Sequence, residues 1–172
     1  MNNMDIFVEQ LLQRKQGPKD YAITAAAILG AVIIFFLSLK VPAFTFFILV
    51  LVCFGAYWVI ASRHLEFEYS ITNGDITIDK IINRSRRKRV LSADAREIEE
   101  IGKFRPELVR QKSGFKPYFV SEYGDGRDAW YFCSHTAKNG NVLVVFSPEE
   151  KTLEAIKPFI PRQVAFVAFG RN

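Results

Sequence analysis

Residues 21–39 read YAITAAAILGAVIIFFLSL, and residues 43–61 read AFTFFILVLVCFGAYWVIA. Each approaches the roughly 20 apolar residues that cross a hydrocarbon core of about 30 Å at 1.5 Å per residue. Only Lys40, Val41 and Pro42 lie between them. Pro42 cannot continue a helix and biases Val41 away from helical backbone, so the spacing predicts two antiparallel helices joined by a tight turn. Gly30 and residues 25–27 (AAA) permit close helix approach, and Tyr57 and Trp58 suit an interfacial belt. A soluble buried hairpin would need a large domain around both helices, and the charged remainder is too small to provide one. A cleavable signal peptide is excluded on the same grounds: Asp5, Glu9 and Asp20 precede the first stretch, and two stretches follow rather than one.

Outward from this block the composition changes abruptly. Apolar residues make up 49% of the 172 residues, yet Lys40 is the sole charge from Tyr21 to Ser62, whereas charges are dense from Arg63 on. Residues 63–172 hold 19 Lys/Arg and 15 Asp/Glu, an excess of four in a chain of net +5. Arg14, Lys15 and Lys19 precede the first helix, and Arg63 and the run at 84–89 follow the second. This lysine and arginine asymmetry puts both termini on the cytoplasmic side of the cell membrane as a multi-pass protein. The organisation expected is an N-terminal cytosolic or interfacial segment (1–20), a transmembrane hairpin (21–62) and a cytosolic β-rich domain (63–172). In the first segment Ile6, Phe7, Leu11 and Leu12 fit one side of a short interfacial helix, with a frayed terminus as the alternative.

In the domain, residues 65–72 alternate without a break: Leu65, Phe67, Tyr69 and Ile71 against Glu66, Glu68, Ser70 and Thr72. Asn73-Gly74 follows, and a type I′ turn needs positive φ at both central residues, so residues 75–82 return as the second arm of a hairpin. A basic turn at 83–86 leads to a third strand around 88–92. For residues 93–104 a short turn and then a strand is favoured over a helix; residues 105–126 read as irregular connection. Residues 128–134 and 142–146 are strands, the latter buried on both faces. Ser147, Pro148 and Glu150 have the spacing of a capping box opening an amphipathic helix. Residues 163–169 (QVAFVAF) fit a last strand or a segment resting on the membrane. The whole is an α+β membrane protein, with a curved β-sheet or barrel closed by a C-terminal amphipathic helix.

This order of elements resembles the bacterial pleckstrin-homology-like (PH-like) domains that follow two transmembrane helices. More closely, MDIFVEQLLQRK at the start, EFEYSITNGDITIDKI followed by RRKRVL in the centre, and SPEEKTLEAIKPFIPRQV near the end are similar to the bacterial family known as domain of unknown function 6106. The resemblance implies an architecture; it assigns no catalytic residue, and fold alone does not give function.

The residues offer little conventional chemistry. Cys53 and Cys133 have neither CxxC nor Cys/His spacing, so no metal site is expected. His64 and His135 stand without a nucleophile, Glu97, Glu99 and Glu100 fit a solvated face, and Gly114, Gly124 and Gly126 are too scattered for a phosphate loop. No cofactor is expected. Arg84, Arg86, Arg87, Lys88 and Arg89 are the candidate site. A polybasic segment near an anionic leaflet gains about 1 kcal/mol per basic residue within a Debye length. The same residues also serve a bland role, enforcing topology and solubilising a turn, and they lack the interleaved aromatics that nucleic-acid binding wants. The reading is a non-enzymatic membrane-anchored binding or scaffold module, with the anionic inner leaflet and a membrane or cytosolic protein as partners. The alternatives are an accessory subunit of a transport or envelope assembly that associates through its hairpin, and an enzyme with its site in residues 105–126.

Overall fold

A computed structural model describes residues 5–170; residues 1–4 and 171–172, at the outer limits of the first and last expected segments, lie outside the described residues. Two long helices, α1 (Pro18–Ser38) and α2 (Pro42–Ala61), start where proline fixes φ at a first helical turn. Their apolar side chains are not covered: 6% of one apolar window and none of the other is buried. Both helices are long and apolar enough to cross a membrane.

The first sheet runs β1 (Phe7–Gln13), β2 (Leu65–Thr72), β3 (Asp75–Ile82), β4 (Arg86–Asp94), all antiparallel. The β2–β3 hairpin has the expected bounds, and Asn73 and Gly74 take φ of +51° and +96°. The strand β1 replaces the expected interfacial helix or frayed terminus. Every residue of Phe7–Gln13 pairs with β2, from Phe7 opposite Thr72 to Gln13 opposite Glu66. Val8 and Leu12 reach the core while Phe7 and Leu11 face out, which is strand periodicity. Residues 7–13 therefore belong to the same sheet as β2. The two long helices are an insertion between β1 and β2, two neighbouring strands of one sheet.

Strand β4 turns through a short 3-10 segment, Ala95–Glu97, into β5 (Ile98–Lys103), the turn-then-strand arrangement anticipated for this stretch. Asp94 accepts the Arg96 N–H at 2.8 Å to start it. The second sheet runs β5-β7-β8-β6, with β6 (Lys116–Val120), β7 (Trp130–Thr136) and β8 (Gly140–Phe146). Residues 105–126 thus hold more than irregular connection. Helix α3 (Glu107–Gln111) covers the outer face of this sheet with Leu108 and Val109, and β6 pairs parallel to β8. A parallel partner brought in by a crossover leaves no hairpin signal in the sequence.

The two sheets pack face to face without closing into a barrel. Phe67, Tyr69, Ile71, Ile78, Phe132 and Phe146 fill the space between them. Tyr69 and Phe132 both stand edge-to-face on Phe146, a favoured aromatic geometry. The Tyr69 hydroxyl donates to the Val120 carbonyl and accepts the Ser147 N–H at 3.2 Å. Burial holds its pKa well above the ordinary value.

Two helices finish the domain. Helix α4 (Glu150–Ile156) begins later than the expected capping box, because Ser147 is used elsewhere: its hydroxyl accepts the Glu122 N–H at 3.1 Å. The cap comes from β1 instead. Gln10 Oε1 accepts the Glu149 N–H at 2.8 Å and the Thr152 hydroxyl at 2.7 Å, and its Nε2 donates to the Ser147 carbonyl at 2.9 Å. Residues 163–169, expected as a last strand or a segment resting on the membrane, lie in helix α5 (Arg162–Phe169). Val164, Ala165, Ala168 and Phe169 all reach the core, a helical spacing, and Phe169 stacks on Trp130 at 5.6 Å.

Candidate functional site

The basic run at 84–89 is divided by strand geometry. A bulge between β3 and β4 puts Leu91 opposite Ile78 but Arg89, not Val90, opposite Asp79. That one-residue slip reverses which side chains face outward. Arg87 and Arg89 consequently lie on the outer face, beside carboxylates that neighbouring strands supply. Arg87 meets Glu68 at 2.7 Å, Arg89 meets Asp79 at 2.5 Å, and Arg84, in the turn, meets Glu66 at 3.4 Å. Arg86 and Lys88, in register with Ile82 and Lys80, lie on the other side of the strand and are exposed at the end of the sheet. Among the described residues neither Lys80 nor Lys88 makes an ion pair. Burial first, and then the charges of Arg14, Arg63 and Lys88, hold the Lys80 ammonium below its ordinary pKa.

These cations lie at the end of the sheet where both long helices attach. The Arg14 N–H extends the β1–β2 ladder to the Leu65 carbonyl at 2.9 Å, and the Asn83 N–H reaches the His64 carbonyl at 2.9 Å. Asp20, buried in the first turn of α1, accepts the Gly17 N–H at 3.0 Å. It also stands 3.5 Å from Arg14 and 4.0 Å from Arg63, so one carboxylate ties the start of α1, the end of β1 and the end of α2.

Beside this knot is a cleft of about 530 Å³, walled by residues 14–20 on one side and 123–127 on the other. Lys15 spans it, 2.7 Å from Glu122, 3.0 Å from the Tyr123 hydroxyl and 4.9 Å from that ring's centre. The hydrogen bond to Glu122 leads in raising its pKa. Arg127 lies 4.5 Å from the centre of the same ring. The Arg14 Nε is buried and has no hydrogen-bond partner. A Cβ on Gly124 would stand 2.9 Å from Arg14 Nη2, so the loop closes on the guanidinium because glycine is there.

Three other residues considered for chemistry are placed as follows. Glu100 pairs with Lys112 at 2.5 Å and accepts the Tyr131 hydroxyl. His135 Nδ1 contacts Asn141 Oδ1 at 2.7 Å. Burial pushes the Cys133 thiol up to about 11, away from the thiolate. No group of three His, Cys, Asp or Glu side chains that could hold a metal occurs among the described residues. Lys80 and Tyr123 were not singled out in the sequence and Arg14 only as a sign of topology, because the pairing of β1 with β2 that sets Arg14 on the sheet was not read there.

The hydrogen bond from Lys112, and then that from Tyr131, hold the Glu100 carboxyl below its ordinary value of 4.5. A depressed carboxyl contributes stability above the unfolded value, and that contribution is lost as pH falls through the folded value. Glu100 is part-exposed, so Glu100→Gln is expected to lower Tm by about 2–4 °C at pH 7. The deficit should shrink on acidification below pH 4.5. A deficit independent of pH would assign the effect to packing rather than charge.

Two stacked antiparallel-rich sheets, an inserted pair of long apolar helices and a cationic recess at their junction define a PH-like module built around a helical hairpin. The chain belongs to the bacterial family described as Bacterial PH-like domain (DUF6106), whose match covers residues 4–166. That is a family of unknown function. No curated protein and no solved structure matches the chain.

Proposed function

We propose that this protein is a non-enzymatic, membrane-anchored binding or scaffold module that holds its PH-like domain against the cytosolic face of the cell membrane. The observation that carries the reading is the insertion of two uncovered apolar helices between adjacent strands of one sheet. Arg14 and Leu65 are hydrogen-bonded neighbours, so no flexible linker separates helices from domain. A bilayer around the helices fixes the sheet's helix end at headgroup depth, where Arg63, Arg86 and Lys88 meet the anionic inner leaflet. Membership of a PH-like family supports a binding or scaffold role. The outward arginines, each beside a carboxylate, contribute less to that contact than their number implies.

The second reading is an accessory subunit of a membrane transport or envelope assembly. Its support is a shallow groove between the helices, lined by Ala27, Gly30, Ala31, Gly55 and Ala56 among others. A Cβ on Gly30 or Gly55 would meet nothing within 4 Å, so that groove is open to another helix.

One experiment tests the main reading. The full chain should stay with membranes through alkaline carbonate extraction, and a reporter that is active only outside the cytosol should be silent when fused at either terminus. Release by carbonate, or an active reporter, would overturn it. Loss of a larger complex in a Gly30→Leu, Gly55→Leu variant, with extraction unchanged, would move the weight to the second reading.

A further inference from the structure

Strand β4 closes one side of the first sheet, and its outer edge is bare. It pairs with β3 alone, and among the described residues no other backbone group bonds to Arg86–Asp94 from the far side. The turn at Asn73-Gly74 fixes which groups face out. Thr72 and Asp75 bond each other across it, so Gly74, Ile76 and Ile78 turn their backbone towards β4. The Ala95 N–H, bonded to the Gly74 carbonyl at 2.8 Å, keeps the same step. Ala93 and Leu91, opposite Ile76 and Ile78, therefore bond β3, and the Ser92 N–H and carbonyl between them face the open edge.

The edge is strongly cationic. Arg86, Arg87, Lys88 and Arg89 are all exposed. Across the outer face the charge changes sign: Glu68 on β2 and Asp79 on β3 are negative, while Arg87 and Arg89 on β4 are positive. A further strand continues that order only if it is acidic. On the other side of the strand, Arg86 and Lys88 make no ion pair among the described residues. Lys88 stands opposite Lys80, and a carboxylate on a neighbouring strand would relieve that like-charge pair. A second copy of this chain does not fit. Its β4 would set the same cations against these, which is how edge charges keep like strands apart. Its acidic strand β5, with Glu99 and Glu100, packs against α5 instead.

We propose that the free edge of β4 takes up an acidic, extended segment of a partner protein as a further strand of the first sheet. Main-chain hydrogen bonds along the edge, the Ser92 N–H and carbonyl among them, hold the segment. Its carboxylates meet Arg86 and Lys88 on one side and Arg87 and Arg89 on the other. The inference names a partner for the binding module proposed above and rests on that reading, though not on the anchoring. An anionic leaflet offers these cations charge but no backbone to pair with.

The test uses the full chain in a neutral detergent and a capped nine-residue peptide of alternating glutamate and threonine, as long as β4. Binding is read as fluorescence anisotropy of a label on the peptide. The wild type is expected to bind with a Kd below about 1 mM. In the Arg86→Gln, Lys88→Gln double variant Kd should rise about fivefold, as for loss of two cross-strand opposite-charge pairs. Ser92→Pro keeps every charge and every bond to β3, because an edge strand accepts proline where the N–H faces solvent. It should weaken binding at least about tenfold, since it removes a donor and crowds the incoming strand. The same peptide N-methylated at two adjacent central residues has both edges blocked and should not bind. It covers the case in which Ser92→Pro fails to fold by circular dichroism. Undiminished binding of the methylated peptide, or of the parent peptide to folded Ser92→Pro, overturns strand addition and leaves the basic edge to the leaflet. No binding to the wild type at about 1 mM overturns the site itself. Release of the chain by carbonate overturns the anchoring alone, since the peptide titration needs no bilayer.

Discussion

Residues 63–172 expressed alone will not form a stable domain, whereas a chain that joins Lys15 to His64 through an Asn-Gly linker, in place of residues 16–63, will fold in water. The first half of this result follows from β1. Without it, β2 becomes a bare edge: Phe67, Tyr69 and Ile71 keep their places, but the seven residues paired across from them are gone. Val8 and Leu12 no longer cover the core, and the groups held by Gln10 lose their partners. Two half-buried aliphatic side chains and a few buried polar groups together amount to at least about 5 kcal/mol, comparable to the net stability of a whole domain. The second half follows from the register. The Arg14 N–H already bonds the Leu65 carbonyl, so the ends to be joined lie where a two-residue hairpin loop would place them. A single cooperative urea transition for the linked chain, and none for residues 63–172, is the outcome expected. Equal midpoints for the two would show that β1 is an ornament of the sheet.

That outcome bears on what can be read from sequence. The two long helices and the β2–β3 hairpin were legible because each carries its own local pattern: uninterrupted apolar length, strict alternation, and Asn-Gly at positive φ. Family membership was legible for a related reason, since the central block keeps that pattern together with a basic run. Strand β1 was not legible. Its inward lane reads Val8, Gln10, Leu12, and the glutamine interrupts the alternation, while Ile6, Phe7, Leu11 and Leu12 imitate a helical stripe. Strand β6 was hidden by its parallel partner, which is 26 residues on in the register from Lys116 to Val142. The basic run was visible as composition. Which of its members face outward was not, because the bulge at the β3–β4 pairing and the carboxylates on β2 and β3 decide it.

The same glutamine sets the other large effect. Gln10 is 2% exposed, and its amide serves three groups from a different part of the chain: the Ser147 carbonyl, the Glu149 N–H and the Thr152 hydroxyl. It fixes β1 to the start of α4, where no local side chain caps the helix. Gln10→Leu keeps the volume and removes every partner. Each orphaned group costs about 1–3 kcal/mol, so the variant should lose roughly 3–5 kcal/mol, and Tm should fall by on the order of 10 °C or more. Gln10→Glu distinguishes lost bonds from lost shape. Its side chain can accept from Glu149 and Thr152 at any pH, but it can donate to the Ser147 carbonyl only when protonated. A buried acid has its pKa raised, so the folded variant binds the extra proton and its stability is lost as pH rises through the unfolded carboxyl range and beyond. Gln10→Glu should therefore approach the wild type near pH 4 and fall to the level of Gln10→Leu at pH 8, read as urea midpoints in the linked chain. A Gln10→Leu midpoint equal to the wild type's would mean that α4 needs no cap from β1, and that the strand holds the domain by its pairing with β2 alone.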